Sequence, residues 1–123
     1  MRYCIDEDTK KIVKAAVHGD ERRQKRRRKG NLTTFDIAAA EAIRAAKEEL
    51  HLEGYDKEAR RLIIDKIYSS LLYNTPWENL GEMYCCRRLF YEYRRQFMYI
   101  VAQHLGMIDD DPQTTERQQV GQK

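Results

Sequence analysis

The sequence predicts an all-α fold of four to five helices that closes on a carboxy-terminal helix-turn-helix. Apolar residues recur at intervals of three and four in several long stretches, as helices with one buried face require. Cap residues and glycines punctuate the ends of those stretches. Apolar and polar residues nowhere alternate over a length that makes a convincing strand. A chain of 123 residues suits one domain of ordinary size with one core.

Asp6 or Asp8 is placed to cap a first helix through Thr9 to Val17, with Ile12, Val13, Ala16 and Val17 as its apolar side. Gly19 weakens any continuation, so a break is expected there. A basic block follows, Arg22 to Lys29, in which seven of eight residues are basic, and Gly30-Asn31 is a good stop signal. The block reads either as an arm or helix end that grips phosphates or as a solvated hinge. Thr33 or Thr34 caps a clean helix with Asp36 in its first turn, and Phe35, Ala39, Ala42, Ile43, Ala46 and Leu50 form its inner face up to Gly54. Small side chains on that face admit another helix closely. Asp56 starts the next helix, in which Leu62, Ile63, Ile67, Tyr68, Leu71 and Leu72 supply the support that two short helices need beneath them.

Residues 75–105 hold the expected helix-turn-helix. Thr75 is placed to cap, Pro76 suits the first helical position, and Glu78 stands three residues after the cap. Trp77, Leu80 and Tyr84 share one face, and Gly81 is expected to let the second helix cross closely. After a turn at Tyr84-Cys85-Cys86, Phe90, Tyr93, Phe97, Ile100, Val101 and His104 form an inward stripe. Arg87, Arg88, Tyr91, Arg94 and Arg95 project outward from the first two turns, where a recognition helix meets base edges and phosphates. The bland alternative is a solvated face of a helix that covers a core. Cys86 stands where serine or threonine usually caps such a helix, and a thiol is a weak acceptor.

With those residues in view, the run IYSSLLYNTPWENLGEMYCCRRLFYEYRRQFMYIVAQHLGMI resembles the carboxy-terminal helix-turn-helix of small phage and prophage transcription regulators of the RinA and ArpU type. Those proteins are in turn similar to region four of bacterial sigma factors. The shared features are a tryptophan opening the first helix, a small residue near its middle, an arginine pair opening the second, and the aromatic-rich FYEYRRQF run. The likeness spans roughly residues 60–108. It implies a sequence-specific DNA-binding regulator of a phage or integrated mobile element, with RNA polymerase as an additional partner.

On this reading Arg87, Arg88 and Tyr91 read bases. Arg94 and Arg95 hold phosphates, as do Arg22, Arg23, Lys25, Arg26, Arg27, Arg28 and Lys29. Trp77, Leu80, Gly81, Phe90 and Phe97 fix the angle between the two helices. The expected partner is double-stranded DNA, and a homo-oligomer stays open. Two rivals remain: a protein-interaction module whose basic block meets an acidic partner, and a small-terminase-like DNA-packaging subunit of a phage.

Residues 1–31 form the expected amino-terminal helix and basic segment, residues 32–108 the helical domain, and residues 109–123 a disordered tail that opens with Asp109-Asp110-Asp111. The long apolar faces lie in the second of these, so the helical core is expected to fold without residues 1–30. Net charge is only +3, so a nucleic-acid signal must lie in where charge sits. Three cysteines, two of them adjacent, make no disulfide framework, and neither a signal segment nor a membrane span of ~20 apolar residues is visible. The expectation is a cytoplasmic protein that enters no membrane. Cys4, His18, His51, Cys85, Cys86 and His104 lack the paired spacing of a zinc site, and no phosphate loop or activated nucleophile is recognisable. Neither metal, cofactor nor catalysis is expected, and the Cys85-Cys86 thiols are expected to be inert.

Overall fold

A computed structural model describes residues 4–108. Among them the chain forms five α-helices and a single short 3-10 helix, with no strand: α1 Glu7–His18, α2 Asp20–Lys29, α3 Thr34–Glu49, α4 Lys57–Tyr73, the 3-10 helix Trp77–Asn79, and α5 Arg87–His104. The all-α class and the number of helices are as the periodicity predicts. The tail expected at 109–123 lies outside the described residues.

Three helices start where a side chain satisfies an orphan backbone N–H. The Thr9 N–H donates to Asp6 Oδ1 at 2.7 Å, opening α1, and the Ala59 N–H donates to Asp56 Oδ1 at 2.7 Å, opening α4. At α3 the capping is reciprocal: the Asp36 N–H donates to Thr33 Oγ1 at 3.1 Å, and the Thr33 N–H donates to Asp36 Oδ2 at 3.0 Å. Gly19 separates α1 from α2. Gly30 ends α2 at φ 75°, a left-handed conformation that costs glycine nothing, and lets the Asn31 N–H reach back to Arg26 O at 3.0 Å.

The core forms where α3 and α5 share the broadest seam. Ala39, Ala42 and Ala46 of α3 are fully buried, and so are Phe90, Phe97 and Val101 of α5. Small residues on one helix let the other approach, and the aromatic residues of α5 supply the volume. Ile63, Ile67 and Leu71 of α4 close the core from another side.

Four expectations are corrected by this architecture. The boundary at 31/32 does not separate two cores, because Val13, Ala16 and Val17 of α1 are completely or almost completely buried and α1 packs on α4, α5 and α3. Phe35 and His104, expected inside, are exposed; His104 Nε2 instead lies 2.9 Å from Glu49 Oε2 at the end of α3. The α3 pattern, expected to run to Gly54, stops at Glu49 with Leu50 leaving helical geometry. The largest correction concerns residues 75–84, where one 3-10 turn replaces the short α-helix of a helix-turn-helix.

The groups meant to start that helix are otherwise engaged. Ser70 Oγ donates to Thr75 O at 2.6 Å, and the Thr75 N–H donates to Ser70 O at 3.1 Å, so Thr75 closes the end of α4. The Trp77 N–H donates to Tyr91 Oη at 3.1 Å. Pro76 is extended, and Gly81 adopts φ 80°, which ends the turn. Gly81 is therefore a conformational residue: a Cβ there would come no nearer than 3.8 Å to Lys66 Nζ, so no helix crosses closely over it. Lys66 Nζ donates to Leu80 O, and Leu80 is the buried anchor of the connection.

Burying each α1 valine contributes roughly 1.5–3 kcal/mol, against a total stability of about 5–15 kcal/mol for a domain. Deleting residues 1–30 is therefore expected to abolish the cooperative thermal transition, read by circular dichroism; a sharp transition in the truncated protein would restore the 31/32 boundary. Phe97→Ala is expected to cost about 3–5 kcal/mol in a denaturant titration. Trp77→Ala should cost clearly less, since Trp77 is only half-buried.

Candidate nucleic-acid interface

Not one side chain of α2 is apolar, so this helix is attached to the core by polar contacts alone. Arg23 is 3% exposed: its Nη1 donates to Asp20 Oδ1 at 3.2 Å, and its Nε lies 3.5 Å from Asp36 Oδ1 without hydrogen-bond geometry. Arg26 Nη2 donates to the same Asp36 oxygen at 2.5 Å. From α4, Tyr68 Oη donates to Asp20 and Tyr73 Oη donates to Glu21 Oε1 at 2.9 Å. Burial, reinforced by the Asp20 carboxylate, pushes the Tyr68 hydroxyl's pKa well above its ordinary value.

The seven cations of the block therefore divide. Arg23, expected to hold phosphate, is an interior ion-pair residue out of reach of a ligand. Arg26 is partly exposed but tied to Asp36. Arg22, Lys25, Arg27, Arg28 and Lys29 are exposed and form no ion pair among the described residues. Of those readings the segment is a helix and not a hinge, because α2 holds the five. Asp20 and Glu21 in its first turn and four cations in its last complement its dipole.

The second basic region is the start of α5. Cys86 occupies the N-cap position and makes no side-chain capping bond, as expected of a thiol. Arg87 and Arg88 are exposed; Arg87 Nε lies 3.5 Å from Glu78 Oε2, and Arg88 has no ionic partner among the described residues. Tyr91, expected to read a base, is half-buried with its hydroxyl accepting the Trp77 N–H. The guanidinium centres of Arg87 and Arg94 lie 5.2 and 5.7 Å from its ring centroid, within cation–π range. Tyr91 thus orders two arginines through its ring. Arg94 and Arg95 are half-buried, and burial lowers the pKa of Arg94, whose Nε has no hydrogen-bond partner among the described residues. Arginine keeps its charge in proteins all the same.

Arg94 and Arg95 open onto a groove of about 390 Å³ between α5 and the start of α1. Tyr91 and Met98 line it from α5; Cys4, Ile5, Lys10 and Lys14 line it from the other side. Lys10 and Lys14 carry no expected role in the sequence reading. Their spacing of four on one helix face is visible in sequence, but which helix they face is not. Of the residues expected to set the helix crossing, Leu80, Phe90 and Phe97 are buried, Trp77 is half-buried, and Gly81 shapes the connection. Cys85 is half-buried, and burial pushes its thiol pKa up. Among the described residues no helix is long and apolar enough to cross a membrane.

No family model, curated protein or solved structure matches this chain.

Two contrasts test the anchoring of α2. Arg23→Ala removes the buried cation beside Asp20 and Asp36, which keep Tyr68 and Arg26 respectively, and is expected to cost about 1.5–3 kcal/mol. Arg27→Ala, on the exposed side, should stay within about 0.5 kcal/mol in the same denaturant titration. Equal effects would mean that the network holds nothing.

The Thr33 backbone N–H, followed by Thr33 Oγ1 and Arg26, holds the Asp36 carboxyl at about 2, against the upward push of burial. The unfolded value is about 3.9, so the stabilisation is complete above pH ~4 and lost as pH falls towards about 2. Thermal melts across that interval should show a steeper decline for the wild type than for Asp36→Asn. Parallel declines would remove Asp36 from the acid response.

Proposed function

We propose that the protein binds double-stranded DNA through the start of α5 and the exposed side of α2. The observation that supports this most is the placement of unpaired cations on helices. Arg88 at the exposed start of α5 and Arg22, Lys25, Arg27, Arg28 and Lys29 on α2 have no carboxylate partner among the described residues. Glu78 reaches Arg87 only at 3.5 Å and on the surface, where such a pair is worth little and yields readily to phosphate. An α-helix fits the major groove, and two arginines at its start are suited to bidentate contact with guanine. In this reading Arg87 and Arg88 read bases, Arg94, Arg95 and the five free cations of α2 hold phosphates, and Tyr91 orders Arg87 and Arg94.

Regulation of phage or mobile-element genes, and contact with RNA polymerase, rest on the sequence resemblance alone. The 3-10 turn at Trp77–Asn79 gives that resemblance less to stand on, since the first helix of the motif is a single turn. Phe35 and Ile37, 51% and 52% exposed at the start of α3, favour the rival interaction module.

Titrating the protein with a selected site and with a random duplex at several salt concentrations tests the proposal. Arg87→Ala or Arg88→Ala should cost about 1–3 kcal/mol at the selected site and little on the random duplex. Each α2 cation that contacts a phosphate should, on removal, weaken both alike and lower the salt slope by about one. Failure of every duplex to bind at low salt would leave the interaction module.

A further inference from the structure

The groove between α1 and α5 brings together four cationic side chains from two helices that are far apart in sequence. Lys10 and Lys14 come from α1, and Arg94 and Arg95 from α5. Among the described residues no acidic side chain lines it. Lys14, Arg94 and Arg95 form no ion pair among the described residues, and Lys10 has only Glu7, at 3.5 Å on the surface. Such an exposed pair holds a lysine weakly.

Arg94 gives this cluster its direction. Its Nε is buried and unbonded, and its guanidinium has a tyrosine ring beside it but no anion among the described residues. A half-buried guanidinium left in that condition has lost water without gaining a full set of acceptors. An anion in the groove restores them. Ile5 and Met98 add apolar wall, which lowers the local dielectric and strengthens any charge-assisted bond formed there. Guanidinium groups match tetrahedral oxyanions in geometry, and the lysines add mobile point charges from the opposite wall.

We propose that this groove is a phosphate-binding site in which Arg94, Arg95, Lys10 and Lys14 hold one phosphate group. The proposal extends the DNA reading by giving α1 a part in the interface, yet it stands independently of it. The phosphate comes either from a DNA backbone or from a small phosphorylated molecule, and the volume of about 390 Å³ accepts both.

The test uses the full chain, isotope-labelled, with inorganic phosphate titrated against chloride at constant ionic strength and backbone amide shifts as the readout. Saturable shifts are expected around Lys10, Lys14, Arg94 and Arg95. Arg95→Gln and Lys14→Gln should each weaken binding about tenfold while Arg44→Gln on α3, a cation paired with Glu41 and Glu48, leaves it unchanged, and the amide spectrum of each variant reports its fold. Small shifts that rise linearly and spread over α2 as much as the groove overturn the proposal, as does indifference to both groove variants. A short duplex is then added. Displacement of phosphate by the duplex supports the site and assigns it to the DNA backbone; retention of phosphate beside bound duplex supports it and assigns it to a free phosphorylated ligand. Saturable phosphate binding without duplex binding upholds the site and removes the DNA reading. Duplex binding without saturable phosphate binding does the reverse.

Discussion

One carboxylate, Asp36, ties the amino-terminal half of the fold together. It completes the capping box of α3 through Thr33 and accepts Arg26 from α2, with Arg23 close by. Each duty fixes the others: the helix start sets where the carboxylate points, and the carboxylate sets where α2 lies. Because α2 brings no apolar side chain to the core, polar contacts carry its whole attachment. Buried ion pairs of this kind add little net stability over apolar packing but are costly to break by halves. They therefore specify position more than they add strength. That is the requirement of a charged helix that must sit on a core without entering it.

The same division of labour runs through the seven basic residues of α2. Buried Arg23 and partly exposed Arg26 hold the helix, and five face water. At the other end of the molecule, α5 achieves its position differently, by burying Phe90 and Phe97 against the alanine face of α3. Tyr91 then links the buried and exposed sides of α5, since its hydroxyl takes the Trp77 N–H while its ring attracts Arg87 and Arg94. The connection 74–86 braces α5 through that bond and through Leu80, without needing a second helix.

The helices were legible wherever the signal was local. Asp6, Thr33 and Asp56 cap their own helices within three residues, and the apolar stripes of α4 and α5 repeat over about three turns. Thr75 and Glu78 offered the same local signal and misled. Ser70, five positions earlier in the last turn of α4, holds Thr75, and Tyr91 from α5 holds the Trp77 N–H, a contact no local pattern reveals. Arg23 could not be told from its neighbours in a run of like charges. Its partner Asp36 lies beyond the turn that reverses the chain, and only the turn's geometry brings them together. The α1–α5 groove was illegible for the same reason: Lys14 and Arg94 meet through packing of the first helix on the last.

Charge placement, finally, explains why a net charge of +3 understates what a ligand would meet. On the outer face of α3, Arg44 donates to Glu41 at 2.9 Å and to Glu48 at 3.0 Å, so that surface is locally neutralised. Asp20 and Asp36 are likewise taken up internally by Arg23 and Arg26. Many of the cations left over lie on the exposed side of α2, at the start of α5 and in the groove beside α1, with others such as Lys57 and Arg61 on α4. At physiological salt, charges are screened beyond about 8 Å, so a ligand feels each patch and not the sum over the chain. Under the proposed DNA reading, a polyanion that touches more than one of these patches at once gains from multivalent contact, which a compact acidic ligand that meets only one of them lacks.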